Sequence, residues 1–164
     1  MDEPLVNIVC TANICRSPMA AALLEDALRR EPPPLGSLRV VSSGVMAAPG
    51  LKASANSVEV LRRRGMDLSA HRSRTVDLAL AFDAILHLCM TRSHAATLLM
   101  AYPELKPRVR LWRSFIPGIS PADADIPDPY GGSLQLYEDC CASMAEAVPY
   151  IVAHLRSLKS FQTK

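Results

Sequence analysis

In the stretch CTANICRSP, Arg16 and Ser17 stand six and seven residues after Cys10, which ends an apolar run. A thiol, a guanidinium and a hydroxyl at that spacing suit nucleophilic attack on a tetrahedral oxyanion. If residues 10–17 turn from a strand into a helix, successive backbone N–H groups of the turn converge as a nest for an anion. The helix start adds unpaired N–H groups and a partial positive charge. Arg16 offers a planar fork that matches two phosphate oxygens. The same field favours the thiolate of Cys10, the form that attacks. Ser17 can donate its hydroxyl to that sulfur, which also makes it a better leaving group in a second step. Asn13 suits a tight cradle, being among the few residue types that tolerate positive φ. Singly, Cys10 reads as a small core residue at a strand end. Cys10, Asn13, Arg16 and Ser17 together read as chemistry.

An aryl ester attacked by a thiolate expels a phenolate oxygen that needs a proton, and a positioned acid is worth roughly 10²–10⁴-fold. The acidic stretch DADIPDPYGG offers Asp123, Asp125 and Asp128. Asp128 lies between Pro127 and Pro129, which restrict its backbone to an extended form. Tyr130 beside it would make an aromatic wall for a flat substrate. Local sequence alone leaves the choice of acid open.

The elements that must hold these groups follow from periodicity. Leu5 to Val9 reads as a buried strand. Pro18 suits the first turn of a helix, and Ala20, Leu23, Leu24, Ala27 and Leu28 recur at helical spacing. EPPPLGS, Glu31 to Ser37, is a loop, and Arg39 to Ser42 a second strand. A helix is predicted from about Ala53 to Arg64, with Ala55, Val58 and Leu61 inward, Arg62 to Arg64 on a solvated face and Gly65 as its stop. Ala84 to Met90 reads as a third strand with His87 packed in the core. A helix from about Ser93 to Met100 and a short strand from Val109 to Trp112 follow. His94 and His154 read as helix residues without a role. After the proline-rich acidic loop, apolar residues from Tyr137 to Leu158 alternate steps of four and three, an amphipathic helix in which Pro149 predicts a kink or break. Strands alternating with helices imply an α/β fold: a single three-layer domain over residues 1–164, with a central four-stranded parallel twisted sheet, helices on both faces and the phosphate-binding loop after strand 1. Ligands of such sheets bind beyond the carboxyl ends of the strands, where Cys10 lies.

Composition narrows the partners. The chain has 164 residues, 49% of them apolar, enough for one cored domain. A net charge of +2 gives no global reason for nucleic acid or an anionic membrane as partner. No apolar run approaches the ~20 residues of a membrane span. The opening Met1-Asp2-Glu3-Pro4 lacks the succession of an export leader, and the cysteines Cys10, Cys15, Cys89, Cys140 and Cys141 are odd in number. Free thiols in the cytoplasm are expected. The cysteines show no paired C-x-x-C spacing and the histidines are scattered, so no metal and no other cofactor is expected.

CTANICRSP resembles the signature loop of the low molecular weight protein tyrosine phosphatases, C-x-G-N-x-C-R-S-P, and departs from it at one fixed position, where Ala12 replaces glycine. If that position required positive φ, alanine would cost about 1 kcal/mol or more. The family carries its general acid in a D-P-aromatic motif late in the chain, and DPY places that role on Asp128, leaving Asp125 as a solvated loop charge. VSSG resembles the family's S-A-G stretch, which puts Ser42 against Asn13, with Val45 where the family has threonine. HRSR resembles its H-x-x-R stretch, which puts His71 behind the same loop. The resemblance implies a phosphocysteine mechanism: Thr11, Ala12, Asn13, Ile14, Cys15, Ser17 and Tyr130 around the substrate, Cys10 as nucleophile and Arg16 on the phosphoryl oxygens. It also implies phosphorylated proteins or peptides as substrates, inorganic phosphate as product and a monomer or weak dimer. Aliphatic Ile14 favours a phenyl ring and so phosphotyrosine. Protein arginine phosphatases of the family share CT, RSPMA and the late motif but carry threonine at that position. An arsenate reductase on the same fold would need a cysteine relay near Cys89, and Phe82 stands where a partner thiol would be. A phosphate-binding module without turnover is the non-enzymatic alternative. Cys15 is placed to trap oxidised Cys10 as a disulfide.

Overall fold

The computed structural model describes residues 3–161. Its core is a four-stranded parallel sheet in the order β2-β1-β3-β4, formed by β1 (Leu5–Cys10), β2 (Arg39–Gly44), β3 (Ala84–Cys89) and β4 (Val109–Leu111). Every residue of β1 is buried, as a central strand covered on both faces must be. Alternation then sorts its side chains. Val6, Ile8 and Cys10 join the larger core, whereas Leu5 and Val9 join smaller clusters on the opposite face.

The larger core lies under α1 (Arg16–Leu28), α2 (Ala55–Arg63) and α5 (Leu134–Ser157). Met19, Ala20, Leu23, Leu24 and Leu28 form the buried stripe of α1. The other face is covered by α3 (Leu78–Asp83) and α4 (Arg92–Ala101), with Ala81 and Leu98 against Val9 and Cys89. These are the helix–sheet–helix layers predicted from the alternation of patterns.

Several local expectations change. The six-residue α3 was not visible in the periodicity, although Asp77 caps it by accepting the Leu80 N–H at 2.8 Å. Ala55 is exposed as the first residue of α2, and Ser57, Val60 and Leu61 form its buried face. Pro149 does not break α5, which runs unbroken for 24 residues with the proline on its exposed side. The proline only removes one N–H donor there, and packing on both sides of it keeps the helix together. Trp112 belongs to a 3₁₀ turn rather than to β4; it is fully buried and donates its indole N–H to the Met144 carbonyl of α5 at 2.9 Å.

Order 2-1-3-4 makes the chain leave β1 toward one side of the sheet and return to its other side. The turn after β1 therefore opens at the point where the winding reverses, where such sheets bind ligands.

Candidate active site

Residues 11–15 carry the chain from the end of β1 into α1. Cys10 Sγ receives the Asn13 backbone N–H at 3.2 Å and lies 3.0 Å from Ser17 Oγ. Asn13 sits at φ +58°, the one non-glycine residue with positive φ among the described residues, so Ala12 bears no such strain. Asn13 holds that conformation through four contacts. Its Nδ2 donates to Ser17 Oγ at 2.8 Å and to Ser42 Oγ at 2.9 Å. Its Oδ1 accepts the Arg74 N–H at 3.0 Å, and its carbonyl accepts from His71 Nε2 at 2.7 Å. A carbonyl can only accept, so His71 carries its proton on Nε2. Burial pushes the His71 pKa down, which suits that neutral form. Ser17 accepts from Asn13, and its single hydroxyl proton has two acceptors within reach, the Cys10 sulfur at 3.0 Å and the Ser43 carbonyl at 3.3 Å.

Gly44 makes this arrangement possible from the β2 side. A Cβ built there would lie 2.4 Å from the Thr11 carbonyl oxygen and 3.0 Å from the Asn13 nitrogen. The end of β2 and the loop touch backbone to backbone, and only glycine leaves that space.

Arg16 is 4% exposed, and its Nη1 donates to the Ile126 carbonyl at 2.8 Å. Ile126 is itself fully buried, and its N–H bonds to the Met90 carbonyl at the end of β3 at 2.9 Å. One residue thus ties the late loop both to the sheet and to Arg16. Two positions on, Asp128 Oδ2 lies 3.5 Å from Arg16 Nη2, and its Oδ1 accepts the Tyr130 N–H at 3.1 Å. Asp128 is about half exposed, so this ion pair is screened and serves to orient more than to stabilise. Cys10, Thr11, Ala12, Ile14, Cys15, Arg16, Asp128 and Tyr130 line one cavity of about 290 Å³. Asn13, Ser17, Ser42 and His71 stand behind it as its support.

Asp125 departs from the solvated charge expected of it: it accepts from the Arg92 backbone N–H at 2.8 Å and from Arg92 Nε at 3.2 Å, fastening the loop to the start of α4. Cys15 Sγ lies 3.4 Å from both Ser54 Oγ and the Tyr137 hydroxyl, and burial pushes its pKa up. Cys89 is fully enclosed and pushed up to about 12 by burial, a poor member for a thiol relay. Among the described residues no group of three or more His, Cys, Asp or Glu is arranged to hold a metal, and no helix is long and apolar enough to cross a membrane.

Four contributors escaped sequence reasoning: Ile126, Ser54, Tyr137 and His94. Ser54 caps α2 by accepting the Ser57 N–H, and its own N–H bonds to the Ile14 carbonyl at 2.8 Å. A serine before a helical pattern is a readable cap, though its second task is not. His94, expected as a helix residue without a role, contacts the loop: its Nε2 lies 2.7 Å from Thr11 Oγ1.

A family model described as "Low molecular weight phosphotyrosine protein phosphatase" matches residues 5–160. A protein-arginine-phosphatase of Geobacillus stearothermophilus is 39% identical over 129 residues, 79% of this chain and 80% of that protein. A probable low molecular weight protein-tyrosine-phosphatase of Ralstonia solanacearum, EpsP, is 33% identical over 152 residues, 92% of this chain and 95% of that protein. Among solved structures, the YwlE arginine phosphatase from Geobacillus stearothermophilus superposes with a TM-score of 0.85 at 30% identity, covering 98% of each chain.

Proposed function

Because this chain belongs to the low molecular weight phosphotyrosine protein phosphatase family, whose members are hydrolases, we propose that it removes phosphoryl groups from protein tyrosine through a phosphocysteine intermediate. The observation that carries the reading is the shared cavity. Cys10, whose sulfur accepts the Asn13 N–H and lies 3.0 Å from Ser17 Oγ, and the Asp128 carboxyl share one pocket walled by Arg16.

In this reading the phosphoryl oxygens rest among the backbone N–H groups of residues 11–16 and the Arg16 guanidinium. Cys10 attacks phosphorus in line as the thiolate. The P–O bond to the tyrosine breaks as Asp128 gives its proton to the departing oxygen. Water, deprotonated by the same carboxylate, then attacks phosphorus. The sulfur leaves as a thiolate stabilised by the Asn13 N–H and Ser17, and inorganic phosphate is released.

Ile14 and Tyr130 line the cavity and offer an apolar wall and a ring to a planar leaving group, which supports phosphotyrosine. A second reading has its own support: the Geobacillus relative is named for phosphoarginine. Cleaving a P–N bond to a guanidine would place a greater demand on Asp128, since that leaving group is far more basic. Comparison of phosphotyrosine and phosphoarginine peptides, with Cys10→Ser as inactive control, decides between them. A kcat/KM at least tenfold higher on phosphotyrosine is expected. Preference for phosphoarginine would transfer the assignment, and no turnover of either would leave only a phosphate-binding module.

A further inference from the structure

The cradle has a support on the β3 side that neither motif accounts for. His94 is 4% exposed, with Nε2 2.7 Å from Thr11 Oγ1 and Nδ1 3.1 Å from Thr91 Oγ1. Thr91 caps α4, and its oxygen accepts the His94 backbone N–H at 3.3 Å. Thr11 follows the nucleophile in sequence, lines the cavity and also accepts from Arg16 Nη2 at 3.5 Å.

Burial, assisted by the Arg16 cation, holds the His94 pKa down to about 4, so the ring is neutral at pH 7. A neutral imidazole donates from one nitrogen and accepts at the other. Two arrangements satisfy the geometry. In the first, Nδ1–H donates to Thr91, and Thr11 gives its proton to Nε2. In the second, Thr91 gives its proton to Nδ1, and Nε2–H donates to Thr11. The Thr11 oxygen then accepts from both His94 and Arg16, and its own proton is free to turn into the cavity. An oxyanion there is the acceptor that this second arrangement needs, and hydrogen bonds to ionised groups are about twice as strong as those between neutral ones.

Resting on the phosphatase reading above, we propose that a bound phosphoryl group draws the Thr91–His94–Thr11 chain into the Nε2–H tautomer and thereby receives a hydrogen bond from the Thr11 hydroxyl. Ser17 then serves the sulfur and Thr11 serves the phosphoryl oxygen. His94 is a positioning residue, acting through Thr11. The proton of each link moves only by tautomer and rotation, so nothing is oxidised and no charge is created.

The test combines a spectrum with a mutant cycle. In the full chain labelled with ¹⁵N-histidine, two-bond ¹H–¹⁵N spectra report which ring nitrogen of His94 is protonated. Saturation with inorganic phosphate is expected to move the ring toward Nε2–H. A ring unchanged, or moved toward Nδ1–H, at saturation overturns the proposal. In kinetics on an aryl phosphate, Thr11→Val is expected to lower kcat/KM and weaken phosphate inhibition about tenfold or more. Thr11→Ser, which keeps the hydroxyl, loses less of both than Thr11→Val, and His94→Gln, whose amide can donate from the Nε2 position, keeps more activity than His94→Leu. Adding His94→Leu to Thr11→Val costs little further, because the two act through one bond. Fully additive losses, or a Thr11→Val enzyme equal to the parent, would also overturn it. A parent protein that binds phosphate but turns over no aryl phosphate would instead sink the phosphatase reading, while the phosphate titration still tests the tautomer.

Discussion

Asn13 and Asp128 make opposite demands on their surroundings. Asn13 is fully buried, has four partners and a left-handed backbone. Its replacement by alanine removes a donor from Ser17 and Ser42 and the acceptor of the Arg74 N–H, and keeps a strained φ. A loss of about 2 kcal/mol or more is expected in urea unfolding, with Asn13→Gly recovering the backbone share but not the hydrogen bonds. Asp128 is half exposed, and its replacement by asparagine should leave stability within about 0.5 kcal/mol. The same change should lower kcat on phenyl phosphates by roughly 10²–10⁴-fold, most for the most basic phenols. A flat dependence on leaving-group basicity in Asp128→Asn, with full rate, would remove Asp128 from the acid role. The turn of residues 10–17 was legible because thiol, loop and cation lie within eight consecutive residues. Ile126, Tyr137 and His94 were not, because each reaches the site from more than eighty positions away and none belongs to a motif.

The elements were legible wherever the pattern was long. α1 and α5 were announced by their stripes, and β1, β2 and β3 by short apolar runs, with ends shifted by a residue or two. The six residues of α3 are too few to show a period. Pro149 misled because sequence reports its missing N–H but not the packing around it. Since its ring is exposed, Pro149→Ala restores a helix donor without touching the core, and a gain of about 1–3 kcal/mol in urea unfolding is expected. Gly44→Ala acts in the other direction. Its methyl group would press the Thr11 carbonyl, so both melting temperature and kcat should fall, whereas an exposed control such as Ala55→Ser should change neither.

For the whole molecule, the histidines set the response to acid. His71, His87, His94 and His154 all have pKa values pushed below the ordinary 6.5, in each case by burial first, and in His94 down to about 4. Below pH 6.5 the unfolded chain therefore binds more protons than the folded one. Their stabilising contribution is complete above that pH and is lost as pH falls through the folded values. Asp67 and Asp77, lowered by hydrogen bonds from Ser69 and Leu80, add a loss of the same sign at lower pH. The melting temperature should decline steadily from pH 7 to pH 4, and a flat profile over pH 7 to 5 would contradict this. The single tryptophan, Trp112, is enclosed against α5, so its emission should be blue-shifted in the folded state and redden in the same transition. The layered architecture and the core position of His87 could be read from the order of patterns, but the acid response as a whole could not, since the enclosure of His94 depends on a partner 83 positions away.

The Arg16–Ile126 bond spans 110 positions of chain. A ribosome therefore delivers Cys10 and its turn well before the residue that clamps the guanidinium. A growing polypeptide carries the Cys10 thiol while it still lacks both Ile126 and Asp128. Under the proposed mechanism turnover would have to await both residues, and a chain stalled before Ile126 would hold the Cys10 thiol open to alkylation and oxidation.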